Sequence, residues 1–342
     1  MRSSTCKRLA DLCAPATFYA ITTANRSPEK LISLLRYLTN IGCFVKYLTL
    51  DLHVQERDDR VLAKVMNRCP NLQHLTVDHH REDKSDSLLL FAALDALPAL
   101  TELSLHESSK YYWWRGVSYE DSFIHNMFDP TIKKIGSRLH YLKISGYGAL
   151  ERGGFESLIE DAPRLVELEL YDVLHVGLRH SLAESRTWAC AAHLQRLTFV
   201  RCGGLHANIF TKKLASGAFG HPQRVTLAVC GDPSDDTTPP GAIEWKIPAL
   251  DIFELDHFAT WEMEHLQHVH AKKVFLSRVW RQGPEGMYKM VIQQIAHKSA
   301  FPEAVEVHVT TDWSDEDFGE LQRVCSTKGV KLVMREWRRE EW

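Results

Sequence analysis

The stretch CPNLQHLTV (69–77) returns as LPALTELSL (97–105), SRLHYLKI (137–144), APRLVELEL (162–170), AHLQRLTF (192–199) and IPALDIFEL (247–255). The shared phrase is L-x-x-L-x-L, often opened by x-Pro. FVKYLTL (44–50) is an earlier copy, and HPQRVTLAV (221–229), AKKVFL (271–276), FPEAVEVHV (301–309) and GVKLVM (329–334) are weaker ones. First anchors fall at Val45, Leu72, Leu100, Leu139, Leu165, Leu194, Arg224, Leu250, Ala271, Ala304 and Gly329. Their successive spacings are 27, 28, 39, 26, 29, 30, 26, 21, 33 and 25 residues. Self-similarity at such a period marks a repeat architecture.

Each copy reads as a short strand. The second and third anchors are two apart, so Leu75 with Val77, Leu168 with Leu170, and Leu197 with Phe199 point to one side. Between copies the spacing turns helical. In 60–69, Val61, Val65 and Cys69 stand four apart, and in 155–162 Phe155, Leu158 and Ile159 share a face. Stretches 86–97, 209–219, 258–269 and 288–300 read alike, and 314–324 opens with Ser314 and Asp317 as an N-cap with an acidic first turn. A strand and a helix cannot bury their apolar faces alone, but stacked copies can. The expected fold is therefore α/β, a curved solenoid (a horseshoe) of about eleven irregular repeats with a short N-terminal helical cap. A doubly wound or barrel α/β fold would carry near-continuous apolar strands. Here Gln73, His74, Glu102, Tyr141, Glu167 and Glu169 stand between the anchors, and no glycine-rich phosphate loop follows a strand.

Composition agrees. The chain has 342 residues, 44% hydrophobic and 25% charged, as a folded protein does. Lys+Arg 41 against Asp+Glu 44 gives a net −3, so no positive excess exists to grip phosphate backbones. No apolar run is long enough to span a membrane. Of 41 leucines, 32 lie in residues 1–200 and 9 in 201–342, so the later repeats are expected to be degenerate. Residues 1–20 hold no uninterrupted apolar stretch of signal-peptide type, and the cysteines at 6, 13, 43, 69, 190, 202, 230 and 325 never form C-x-x-C. Free thiols and a cytoplasmic or nuclear location are expected.

With period and anchors in place, the chain resembles the leucine-rich-repeat family, of the cysteine-containing and ribonuclease-inhibitor-like types. The best copy is LQRLTFVRCGGL (194–205), with Cys202 where those types place Cys or Asn; His53, His80, Ser108, Tyr147 and Val173 depart from that pattern. TCKRLADLCAPATFYAIT (5–22) is similar to the tail of an F-box domain, through Cys6, Lys7, Arg8, Leu9, Leu12, Pro15 and Phe18. SPEKLISLLRYLTNIGCFVKYLTL (27–50) resembles the entry into the repeats of fungal F-box proteins. The Leu-Pro-x-Glu helix that opens an F-box is not in this sequence, so the chain is expected to be a truncated gene model or to have lost adaptor binding. The resemblance implies a substrate receptor of a Skp1–cullin–F-box ubiquitin ligase, with Cys6, Leu9, Leu12, Pro15 and Phe18 at the Skp1 adaptor. The alternative is a leucine-rich-repeat scaffold or inhibitor without a ubiquitin role.

Residues 1–42 are expected to be the F-box-like remnant and cap, two or three helices including 28–41, and 43–342 the repeats. Insertions are expected around 107–123 and at CGDPSDDTTPPG (230–241), with the tail 334–342 either over the last repeat or frayed. Residues between anchors should form the partner-binding concave face: Tyr47, His74, Glu102, Tyr141, Glu167 and Arg196 in one row, Lys143 and Glu169 with Thr49, Thr76, Ser104 and Thr198 in the next, and Tyr171 with Asp51, Asp78, His106, Ser145 and Val200 in the third. Tyr111, Tyr112, Trp113, Trp114 and Arg115 form a second candidate, a loop rich in the residue types that dominate interfaces. His265, His268 and His270 lack a further ligand for zinc, and His79 and His80 beside Asp78 are no stronger. Asp312, Asp315, Glu316 and Asp317 suit a helix N-terminus. No G-x-S-x-G, H-E-x-x-H, G-x-x-x-x-G-K-S/T or G-x-G-x-x-G occurs, so neither enzyme, metal nor cofactor is expected.

Overall fold

Every copy of the phrase forms a strand in the computed structural model, which describes residues 19–22, 28–53, 58–80, 88–108, 133–146, 162–171, 173, 189–200, 202, 217, 219–228, 250–256, 270–277, 292–293, 295–296, 303–310 and 314–335. In chain order the elements are β1 (Ala20–Thr22), α1 (Pro28–Ile41), β2 (Tyr47–His53), α2 (Asp58–Asn67), β3 (His74–His80), α3 (Leu88–Asp95), β4 (Glu102–Ser108), α4 (Lys133–Gly136), β5 (Tyr141–Gly146), β6 (Glu167–Tyr171), β7 (Arg196–Val200), β8 (Arg224–Ala228), β9 (Leu250–Asp256), β10 (Ala271–Ser277), β11 (Glu306–Thr310), α5 (Asp315–Lys328) and β12 (Lys331–Arg335). The strands follow one another in sequence order in an open, parallel, twelve-stranded sheet. The chain divides into two compact units, Met1–Leu165 with Tyr171–Gly177, and Val166–Leu170 with Leu178–Trp342.

In the first unit Tyr47 pairs with His74, His74 with Glu102, and Glu102 with Tyr141. The 39-residue interval therefore still joins neighbouring strands, β4 and β5, in unbroken register. In the second unit Arg196 pairs with Arg224, then Ile252, Lys273, Glu306 and Lys331 in turn. One backbone joint recurs at several steps. A single carbonyl accepts from two consecutive amides of the next repeat: Lys46 O from Gln73 and His74 N (2.9 and 2.9 Å), Gln73 O from Thr101 and Glu102 N (3.0 and 3.0 Å). In the second unit Gln195 O accepts from Gln223 and Arg224 N (2.8 and 3.0 Å), and Gln223 O from Asp251 and Ile252 N (3.0 and 3.0 Å). Both lone pairs of the carbonyl are used.

The anchors make the core. Leu72, Leu75 and Val77, Leu100, Leu103 and Leu105, and Leu165, Leu168 and Leu170 are all at most 1% exposed. Later repeats use other residues, Phe199, Val225, Phe253, Val274, Val307 and Val309, with the same burial. Each such side chain stabilises by roughly 1.5–3 kcal/mol relative to exposure. Arg224 is the exception to the expected anchors. Register pairs it with Arg196, two residues beyond Leu194, so the anchor position is the buried Pro222 and the spacing is an even 28 residues on either side. An arginine there reaches the polar face instead.

Residues 1–42 are not wholly helical. Tyr19 O accepts from Lys46 N (2.9 Å) and Tyr47 N (3.1 Å), the same joint as between repeats, and Ala20–Thr22 pairs with Tyr47–Thr49. Helix α1 covers Pro28–Ile41 as its periodicity predicts. Glycine is required where repeats press together. A Cβ at Gly42 would lie 1.9 Å from Arg68 O, and at Gly220, with φ 73°, 1.8 Å from Ala191 O. Helix α5 has the expected cap: Ser314 accepts from Asp317 N (3.1 Å), and Gly329 at φ 69° ends it in the left-handed conformation.

Candidate functional site

Alternation along each strand sends the anchors inward and brings the predicted face residues into register on the other side. In the first unit Tyr47, His74, Glu102 and Tyr141 form one row, and Thr49, Thr76, Ser104 and Lys143 the next. The Tyr47 and His74 rings stack, with centroids 3.9 Å apart and planes at 12°. Tyr19 extends the stack, its centroid 4.9 Å from that of Tyr47 with planes at 52°. At the other end His74 Nδ1 donates to Glu102 Oε2. The Tyr47 phenol is pushed above its ordinary pKa by its hydrogen bond with Tyr19, by burial, and by the nearby Glu102 charge. Tyr19, Tyr47 and Glu102 remain 45%, 36% and 42% exposed. Lys143 Nζ lies 4.5 Å over the Tyr171 ring. Ser145, in the third row, is buried.

The second unit closes its own face. Arg196 Nη1 donates to Glu167 Oε2 at 3.0 Å, and Arg224 Nη2 to Glu254 Oε2 at 2.8 Å. Glu254 also accepts from Thr226 Oγ1 at 3.2 Å. Glu306, on β11, ties three strands: Lys273 of β10 at 3.1 Å, Lys331 of β12 at 2.9 Å, and His308 Nε2 at 3.5 Å. The hydrogen bonds from Lys331 and then Lys273 hold its carboxyl down at about 2. His308 stacks on Phe275 (4.2 Å, 13°), and Arg335 covers that ring at 4.5 Å while its Nε donates to His308 Nδ1 at 3.0 Å. Burial, then the Arg335 charge, pushes the His308 imidazole below its usual value. Thr198, Val200, Thr226 and His308, all at face positions, are buried.

Every concave-face candidate thus lies on a strand, and Glu167, Glu169 and Arg196 share the second unit's face. The aromatic stretch Tyr111, Tyr112, Trp113, Trp114 and Arg115, and Cys6, Leu9, Leu12, Pro15 and Phe18, lie outside the described residues, as do His265 and His268. His270 pairs with Glu303 at 2.9 Å. Among the described residues no group of three or more His, Cys, Asp or Glu is placed to hold a metal, and no helix is long and apolar enough to cross a membrane. Cys69 and Cys190 are free thiols that burial pushes up to about 12, which suits packing rather than nucleophilic work. Cys202 Sγ donates to Leu170 O at 3.4 Å, bridging successive repeats from the position the repeat pattern gives it. Asn71 does the same work unforeseen, donating from Nδ2 to Cys43 O at 2.9 Å.

Sequence reading missed Tyr19 and the whole ladder from Arg224 to Arg335. The signal was available: two residues past Ala271, Ala304 and Gly329 stand Lys273, Glu306 and Lys331, an alternation of charge across adjacent strands. No family model matches the chain, and no curated protein is significantly similar to it.

Proposed function

We propose that the chain is a leucine-rich-repeat protein that recognises a partner protein through its strand face, and that it serves as a substrate receptor of a Skp1–cullin–F-box ubiquitin ligase. The observation that carries the recognition reading is the register. Residues spaced by 27 and 28 in sequence, Tyr47, His74 and Glu102, stand side by side with the Tyr47 ring and the Glu102 carboxylate part-exposed. Tyrosine is among the residue types that dominate protein interfaces, and a fixed strand presents it at low entropic cost. The mixture of part-exposed rings and charges supports a binding surface.

The ligase role rests on the resemblance of residues 5–22 to an F-box tail. Its test is co-purification of Skp1 with the full chain from cells. Skp1 should be recovered, and Leu9→Asp with Leu12→Asp should remove it while bound target proteins remain. Absence of Skp1 alongside intact target binding would overturn the ligase role and favour a scaffold or inhibitor. The aromatic stretch is tested in the same cells: Trp113→Ala with Trp114→Ala should weaken target capture and leave the melting temperature unchanged. A large fall in melting temperature would make those tryptophans core instead.

A further inference from the structure

We propose that the Tyr19–Tyr47–His74–Glu102 row of the first unit takes an arginine-bearing, basic segment of a partner protein, the guanidinium lying over the tyrosine rings and against Glu102. This rests on the recognition reading and adds the chemistry of the partner.

The second unit shows the arrangement completed from within. There an aromatic ring stacks on a histidine of the next strand, Phe275 on His308 at 4.2 Å and 13°. An arginine of the strand beyond, Arg335, covers the ring at 4.5 Å. The first unit repeats the stack, Tyr47 on His74 at 3.9 Å and 12°. Register locates the counterpart of Arg335. His308 pairs with Val333, two residues before Arg335, and His74 pairs with Glu102, two residues before Ser104. Ser104 is too short to reach the ring, and among the described residues no lysine or arginine is placed over Tyr47. A stacked, partly exposed aromatic pair beside a carboxylate is an attractive seat for a cation.

Charge points the same way. The first unit's first face row holds the part-exposed Glu102 carboxylate, and Lys143 in the next row already lies on Tyr171. On the second unit's face Arg196, Arg224, Lys273 and Lys331 are each paired with Glu167, Glu254 or Glu306. The raised Tyr47 phenol reflects in part the field of Glu102. A basic segment meets the Glu102 carboxylate on the first face and carboxylates already paired with Arg and Lys on the second.

The test uses the full chain and a fluorescein-labelled peptide of alternating glycine and arginine, followed by fluorescence anisotropy. A glycine–glutamate peptide and a glycine–lysine peptide are the comparisons. The arginine peptide should bind more tightly than the lysine peptide, and the glutamate peptide should not bind. Tyr47→Leu, which keeps apolar bulk against His74, and Glu102→Gln should each weaken binding by about fivefold, the effect of one exposed cation–π or ionic contact. Ser104→Arg should fill the seat from within and abolish peptide binding with circular dichroism and melting temperature unchanged. Arg335→Gln should leave peptide binding as it was. Equal binding of the glutamate peptide, or indifference to Tyr47→Leu, Glu102→Gln and Ser104→Arg, overturns the proposal. The two readings separate in cells. A natural target lost on Thr76→Trp, yet not displaced by the arginine peptide, would uphold recognition by the face and overturn the basic-segment inference.

Discussion

Two ring–histidine stacks, Tyr47–His74 and Phe275–His308, sit on parallel strands with nearly the same spacing and tilt, but their surroundings differ. The second is roofed by Arg335 and bounded by Glu306, itself bound by Lys273 and Lys331. The first ends in exposed Tyr19 and Glu102. The anchors beneath both are equally buried, so the repeat fixes the core and leaves the face to be used in two ways. One face pairs its charges with its own neighbours. The other keeps the Tyr19 and Tyr47 rings and the Glu102 carboxylate part-exposed.

The largest effects should not distinguish the faces at all. Leu50→Ala beneath the first and Phe253→Ala beneath the second remove fully buried side chains and should cost about 2–5 and 3–5 kcal/mol respectively. Urea unfolding midpoints check this, and a cost below about 1 kcal/mol in either would show that unit's anchors to be loosely packed. Acid should separate the units next. Glu306 has its folded pKa at about 2, below its ordinary 4.5, so its contribution is complete above 4.5 and is lost as pH falls toward 2. The midpoint of the wild type should therefore drop through that window relative to Glu306→Gln, which lacks the group. Parallel pH profiles would contradict the clamp. Smaller still, Tyr47→Leu should cost under about 1 kcal/mol, because the ring is part-exposed and leucine keeps apolar bulk against His74. Smallest, Lys272→Ala should shift stability by under about 0.5 kcal/mol, although Lys272 Nζ lies 2.8 Å from Asp251 Oδ1, because both side chains are more than half exposed.

The fold was largely legible because anchors two residues apart have one physical meaning, a strand with a buried side. The eleven phrases all became strands, helix α1 matched its periodic stretch, and Ser314 capped α5 as its position implied. What escaped were cases where the anchor pattern is thin. Ala20–Thr22 is three residues long and joins the sheet through the Tyr19 carbonyl, a backbone contact that no side-chain pattern reports. Arg224 was placed two residues off because Pro222 serves as an anchor, and proline does not look like one in an L-x-x-L-x-L search. That single offset hid the charge ladder, since its rows emerge only when Arg224 aligns with Arg196 and Ile252. Of the candidate face, the positions were readable from alternation, whereas the ladder of ion pairs on the second unit depends on which neighbours meet across strands.

The most direct measurement compares the faces in one experiment: quantitative capture of natural partners from cells by the full chain, by Tyr47→Leu with Glu102→Gln, and by Lys273→Gln with Lys331→Gln, each matched for folded protein by circular dichroism. Partners should be lost from the first pair of changes and retained by the second. Retention by the first and loss from the second would contradict the assignment of recognition to the exposed face.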